Sequence, residues 1–277
     1  MEMKNAVDYQ LILSDIDGTL LNDDSKLLPS TESTIRKLVK SGILFATATA
    51  RNKVYSMSAI SPIMDVCCAN AYANGAFIEA SNGDVLLDSL IGNEDTSALI
   101  EQCHRIGASF CCISRDEVIA EVKHPEFNDE FKTYYGEYSY LSSLDRSDVN
   151  THFMAAYAEN IQPLVEFAKT RLPNIEAGAV VRFQVQGRWI EESQFQNKGV
   201  NKGAALKSIA GHYGIDLSRT VAVGDGLWND GPMIEAAGDG VAMKNAHKEI
   251  IRKADHVTQR DNNEDGLGNY LRGMFGI

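Results

Sequence analysis

A short apolar run, Tyr9 to Leu13, ends in Asp15-Ile16-Asp17-Gly18-Thr19-Leu20. A β-rich run of this length reads as a buried strand, and it hands two acids to a turn at its carboxyl end. Gly18 interrupts the alternation of side chains at that point. Two carboxylates held so close repel each other unless a cation lies between them. Hard divalent ions such as Mg²⁺ take oxygen ligands of this kind. A turn acid followed by a helix-capping acid is the plainer reading of the hexapeptide alone, so the rest of the chain has to decide between them.

The first third alternates strand and helix patterns. Ile35, Leu38 and Val39 mark the apolar face of a helix over 30–40, with Gly42 as its C-terminal cap. Ile43 to Ala48 reads as the next strand and Val66 to Ala69 as a third. Strand, helix, strand with short connections implies right-handed crossovers and a parallel sheet covered on both faces. Asn82-Gly83, between Phe77-Ile78 and Val85-Leu86-Leu87, is a hairpin signal. The α/β rhythm returns from Val200: a helix over 203–213, a strand Thr220 to Val223, a helix over 233–237, a short strand at Gly240-Val241-Ala242 and a helix over 248–253.

Between these portions the pattern changes. Short strands at Phe110–Ile113, Val118–Val122, His152–Ala158 and Val180–Val185 mix with helices near 96–106 and 161–171. This predicts an α+β insert whose helices cover one face of an antiparallel sheet. Each α/β portion is too small for a convincing domain alone. The expected organisation is therefore one Rossmann-like parallel-sheet core built from 1–83 and 190–277, with an inserted α+β cap domain over 84–189.

Composition sets limits on partners. The formal net charge of -12 argues against nucleic acid and anionic membrane surfaces, because both would repel it. A small phosphorylated metabolite is still admissible, since a site can be locally positive. No apolar run approaches the roughly 20 residues that span a bilayer, and Met1 to Asp8 lacks the apolar core of a secretion signal. Cys67-Cys68, Cys103 and Cys111-Cys112 contain no C-x-x-C and lie mostly in strand-like runs. They read as small buried hydrophobes of a cytoplasmic protein.

Further features fall at strand ends or helix starts, the edge where open parallel sheets bind ligands. Thr49 follows its strand directly and Arg51 is close behind; a hydroxyl and a guanidinium suit phosphoryl oxygens, although a Thr there is more simply a helix cap. Lys202 heads a helix, where its charge has the wrong sign for the macrodipole, so a bound anion or a nearby carboxylate explains it better. Lys198 competes with it, since both occur as Asn-Lys-Gly. Gly224-Asp225-Gly226-Leu227-Trp228-Asn229-Asp230 follows another strand, and its glycines permit an acute turn while Asp225 and Asp230 supply oxygen ligands. Two acid pairs, a hydroxyl and a lysine suit Mg²⁺-assisted phosphoryl transfer, in which positioning and charge neutralisation dominate.

These motifs together resemble the haloacid dehalogenase superfamily, in particular its Cof-type sugar-phosphatase-like branch with a large α/β cap. Asp15-Ile-Asp-Gly18-Thr-Leu-Leu is similar to the first family motif, and Thr49-Ala-Arg51 to the second, with Ala50 in place of Gly. Tyr72-Ala-Asn74-Gly75-Ala76 resembles the loop before the hairpin. Lys198-Gly-Val-Asn-Lys202-Gly203 resembles the segment whose second lysine is functional. Val241 to Ala246, His256-Val-Thr and Asn263-Glu-Asp-Gly266 also fit the branch, whereas the Asp225–Asp230 loop has one residue more than its common form.

The resemblance implies a phosphatase acting on small phosphomonoesters through an aspartyl-phosphate. Asp15 would be the nucleophile and Asp17 the acid and base. Thr49, Arg51, Lys202 and Asn229 would meet the phosphoryl group. Asp15, Asp17 through its carbonyl, and Asp225 would hold Mg²⁺, with Asp230, Gly18, Asn74 and Gly75 in support. A phosphomutase of the same chemistry and a non-catalytic phosphometabolite-binding protein are the alternatives. For substrate contacts in the cap, Tyr134, Tyr135, Arg182 and Trp189 are candidates by residue type, although packing explains each as well.

Overall fold

The computed structural model describes residues 9–123, 137–141 and 149–277. They pack into two compact units. The first comprises Met1–Ala50, Ser56–Leu87 and Asn201–Ile277, and the second Arg51–Tyr55 and Asp88–Val200.

The first unit is built on an eight-stranded sheet of order β15-β14-β13-β1-β2-β3-β4-β5. Its strands are β1 (Leu11–Asp15), β2 (Leu44–Ala48), β3 (Cys67–Tyr72), β4 (Phe77–Ala80), β5 (Val85–Asp88), β13 (Thr220–Gly224), β14 (Asp239–Ala242) and β15 (His256–Val257). From β15 to β3 every pairing is parallel; β4 runs antiparallel to β3. The expected hairpin joins β4 to β5 through Asn82-Gly83, closed by Ala80 N–H to Asp84 O at 2.9 Å. All five residues of β1 are buried, as a central strand covered on both faces requires. The core therefore centres on Leu11, Ile12, Leu13, Phe45, Val221 and Val223.

The chain enters this sheet in the middle. From β1 it steps through α1 (Pro29–Lys40) to β2 and through α2 (Lys53–Ile60) to β3; it returns on the other side of β1, from α5 (Lys202–His212) into β13, α6 (Gly231–Ala236), β14, α7 (Lys248–Lys253) and β15. With right-handed crossovers, opposite directions of travel place the helices on opposite faces. Consistently, α1 packs against the C-terminal α8 (Gly266–Phe275) and α5 packs against α6. The order reverses between β1 and β13, and in doubly wound sheets the crevice at that reversal is where ligands bind.

The second unit holds a seven-stranded sheet of order β10-β12-β9-β6-β7-β8, with β11 paired to β12. Its strands are β6 (Ser109–Ile113), β7 (Val118–Glu121), β8 (Ser139–Tyr140), β9 (Phe153–Ala158), β10 (Ile175–Ala177), β11 (Val181–Val185) and β12 (Arg188–Asn197). The pairings are antiparallel except β7 with β8. The helices α3 (Asn93–Ile106) and α4 (Gln162–Arg171) pack together. Leu99, Ile100, Leu164 and Val165 form a core with Phe110, Met154 and Phe195 of the sheet. Arg182 lies over the Trp189 ring at 4.8 Å on the β11–β12 hairpin. Tyr134 and Tyr135 fall outside the described residues.

All five cysteines are free and buried, in keeping with their reading as small hydrophobes. Among the described residues no helix is long and apolar enough to cross a membrane.

Candidate active site

Parallel register brings the predicted acids together at the reversal point. Ser14 pairs with Val223, so Asp15 stands level with Gly224, and Asp225 follows one position beyond. On the other flank Asp15 pairs with Ala48, so Thr49 lies one position beyond on that side. Asp15 is the last residue of β1 and is 4 % exposed.

The turn after β1 is tight, with both Leu20 and Leu21 amides donating to the Ile16 carbonyl at 3.0 and 2.9 Å. Asp17 lies on this turn, exposed to solvent. Gly18 has φ +72°, and a Cβ there would fall 2.4 Å from Asp225 Oδ2, so the turn can approach Asp225 only without a side chain.

Lys202 arrives from the far end of the chain as the first residue of α5. Asn201 caps that helix by accepting from the Ala204 amide at 2.9 Å. The Lys202 side chain is fully buried. Its Nζ donates to Asp15 Oδ1 and, at 2.6 Å, to Asp230 Oδ1. The wrong-sign charge at a helix start is thereby explained by carboxylates. Lys198, its rival, is exposed. Gly75 lets the loop after β3 approach the same helix start: its φ is +91° and a Cβ would lie 2.9 Å from the Asn201 carbonyl. Asn74, beside it, donates its amide to the Thr49 carbonyl at 2.8 Å.

Asp230 ties the site to the loop after β13. Its Oδ2 accepts from the Asp225 amide at 3.0 Å and the Gly226 amide at 2.7 Å, while Oδ1 holds Lys202. One oxygen each of Asp15, Asp225 and Asp230 lies within 4.8 Å of the others. Three carboxylates face one ammonium, which leaves two negative charges uncompensated in a buried setting. The consequences appear in the proton affinities. Burial, then the charge of Asp230, push the Asp15 carboxyl well above the usual range, and Lys202 only partly offsets this. The same causes push Asp225 up to about 7. Burial alone would lower Lys202, but Asp15 and Asp230 raise it above an ordinary lysine.

An all-oxygen donor set with two excess negative charges fits a hard divalent cation such as Mg²⁺. Asp15 and Asp225 could hold such an ion, while Asp230 is engaged by Lys202 and the loop amides.

The structure also shows supporting residues that residue type alone did not reveal. Asn245, after β14, donates Nδ2 to the Gly18 carbonyl at 2.8 Å and accepts from the Asn262 amide at 3.2 Å. Asn262 in turn donates to the Leu21 carbonyl at 3.1 Å. Thr19, buried, donates to Asp225 Oδ1 at 3.4 Å. Position at the carboxyl edge of the sheet was the available signal for Asn245; its partner was not legible. Arg51 packs as part of the second unit, buried, with its guanidinium 4.4 Å over the Tyr55 ring. Asn229 sits on the Asp225–Asp230 loop, close to Gly226.

A model of the haloacid dehalogenase-like hydrolase family matches residues 12–271. The chain belongs to that family. Among curated relatives, a Bacillus subtilis protein named 5-amino-6-(5-phospho-D-ribitylamino)uracil phosphatase is 25 % identical over 272 residues, covering 97 % of each chain. An HMP-PP phosphatase of Cronobacter sakazakii is 24 % identical over 246 residues, covering 88 % of this chain and 87 % of that one. In fold, the hydrolase matches a solved subclass IIB sugar phosphatase of the same superfamily at 22 % identity and a TM-score of 0.80, covering 97 % of this chain and all of that one. The family and the α/β class with a parallel-sheet core are thus those that the sequence motifs imply.

Proposed function

We propose that this hydrolase is a Mg²⁺-dependent phosphatase that cleaves small phosphomonoesters through an aspartyl-phosphate. The observation that carries the reading is the meeting of Asp15, Asp225, Asp230 and Lys202 at the sheet's reversal point, from opposite ends of the chain. The relatives' names, a 5-amino-6-(5-phospho-D-ribitylamino)uracil phosphatase and an HMP-PP phosphatase, support the substrate class.

Asp15 attacks phosphorus, and the bond to the leaving oxygen breaks as Asp17 delivers a proton to the departing alkoxide. Asp17, carried on the exposed turn, then takes a proton from water. That water attacks the acyl phosphate at phosphorus, which frees inorganic phosphate and regenerates the Asp15 carboxylate. Lys202 and the Thr49 hydroxyl stabilise the phosphoryl oxygens, whose charge spreads as the bonds change. Lys202 is suited to this because its two carboxylate partners keep it protonated. When bound, Mg²⁺ would supply the positive charge that the carboxylate cluster lacks and would polarise the phosphoryl group.

The test is phosphate release from an aryl phosphate by the native chain and by Asp15→Asn, with Mg²⁺ and with chelator. We expect Mg²⁺-dependent turnover in the native chain and a loss of at least roughly 10⁴-fold in the variant, the scale of removing a nucleophile. Turnover in Asp15→Asn equal to the native rate rules the assignment out.

A further inference from the structure

The loop that carries Asp225 and Asp230 also carries an aromatic side chain that phosphoryl chemistry does not use. Leu227 to Asp230 form a turn between β13 and α6. Its base is closed: the Asp230 amide donates to the Gly226 carbonyl at 3.2 Å, and a Cβ on Gly226 would lie 2.2 Å from Asn229 Oδ1. Both ends are pinned, because Asp230 Oδ2 takes the Asp225 and Gly226 amides and the Asp225 carbonyl accepts from the His247 amide at 3.0 Å. At the tip, two neighbouring residues meet opposite fates. Leu227 packs against the hydrophobic core of the unit, whereas Trp228 is 51 % exposed.

Core packing therefore does not account for the indole, since about half of it faces water where burial would have been favourable. The turn's closed base sets the backbone that carries it. Only two residues separate Trp228 from Asp225 along the chain, so their Cα atoms lie within about 11 Å of each other whatever path the backbone takes. An exposed aromatic side chain is thus carried on the same pinned loop as Asp225 and Asp230.

We infer that Trp228 is a specificity residue: its ring is a stacking platform for a leaving group that carries a flat aromatic or heterocyclic ring. The inference rests on the phosphatase reading for the chemistry, but stacking itself requires no turnover. Offset stacking on such a face is sequence-independent and tolerant of ring type, so a class of ring-bearing phosphomonoesters is selected over phosphates of simple polyols.

Binding and turnover are measured separately. Asp15→Asn, which does not consume ligand, is titrated calorimetrically with Mg²⁺ and either flavin mononucleotide or glycerol phosphate. The same titrations are made on Asp15→Asn combined with Trp228→Ala, with Trp228→Leu and with Trp228→Phe. We expect flavin mononucleotide to bind tighter than glycerol phosphate, and the preference to fall about tenfold with Ala or Leu and return with Phe. In the active chain the ratio of kcat/KM for flavin mononucleotide to that for acetyl phosphate should fall by a similar factor with Trp228→Ala, through KM. A preference that Trp228→Ala leaves intact, or no preference in the first place, overturns the platform. Trp228-dependent preference in a chain that releases no phosphate from any probe would uphold the platform and overturn the phosphatase reading instead.

Discussion

Lys202 neutralises carboxylates on two sides from a fully buried position. Replacing it with Met keeps the stem's bulk but leaves Asp15 and Asp230 without a countercharge. Breaking a buried pair in this way costs about 3–5 kcal/mol, mostly the penalty on the charges left behind. Urea unfolding in chelator near neutral pH should show that loss in Lys202→Met, with part of it recovered on acidification as the stranded carboxyls take up protons. A midpoint equal to the native one would mean that the ammonium is dispensable there. Asp17 poses a different case, since its side chain is exposed on the turn after β1. Asp17→Asn should keep the native melting temperature yet lower steady-state turnover by about 10²–10⁴-fold, the usual share of a general acid and base. A phosphorylated protein should accumulate during that slow turnover and be visible by intact-mass spectrometry; normal rates would remove Asp17 from its role.

At the scale of elements, the site depends on how closely three loops approach. The turn after β1 meets the loop after β13 at Gly18, where both a φ of +72° and a 2.4 Å Cβ distance to Asp225 exclude a side chain. Gly18→Ala should therefore displace Asp225, weaken Mg²⁺ binding by calorimetry and destabilise the fold by more than about 1 kcal/mol; unchanged metal affinity would show that the turn has room to yield. Much of this was legible in the residues. Short apolar runs ending in acids identified β1 and β13, and the helical face after Lys202 separated it from Lys198, which is exposed. What sequence pattern could not supply was partnership between distant residues. Asn245 and Asn262 look like ordinary loop amides until the fold brings them onto the Gly18 and Leu21 carbonyls. Arg51 follows Thr49 closely in sequence and clusters with the second unit, a membership that no local pattern announces. Nor does local pattern distinguish β12 from a core strand; its pairing with β9, β10 and β11 does. The cysteines were legible because buried thiols need only an apolar strand. Burial pushes Cys67, Cys68 and Cys112 up to about 12. The folded protein should therefore react negligibly with a disulfide reagent near pH 8 and release five thiols once unfolded; fast labelling of the native state would contradict that burial.

For the molecule as a whole, the excess negative charge at the reversal point links pH, metal and stability. Asp225 is pushed up to about 7 and Asp15 is raised as well, both above the value near 4 of a carboxyl in an unfolded chain. A carboxyl whose native pKa is raised binds protons better folded than unfolded. Its contribution to stability is then complete below the unfolded pKa and is lost as pH climbs to the native one. On account of Asp225 the metal-free protein weakens from about pH 4 to about pH 7, and Asp15 adds a loss of the same sign as pH rises through its own raised value. Mg²⁺ acts in the other direction, since it binds the ionised carboxylates and must displace any protons on them. The stabilisation by millimolar Mg²⁺ over chelator should accordingly be small near pH 5.5 and grow through pH 7. It reaches about 2.7 kcal/mol where the ion is at roughly a hundred times its dissociation constant. Asp225→Asn removes one ligand and one of the excess charges, so it should stabilise the metal-free protein at pH 8 while abolishing most of the Mg²⁺ increment. Thermal unfolding of both proteins across this pH range, with and without the ion, decides the matter: an increment that is flat with pH, or that survives Asp225→Asn, would show that the acids gathered from the two ends of the chain do not form one cation site.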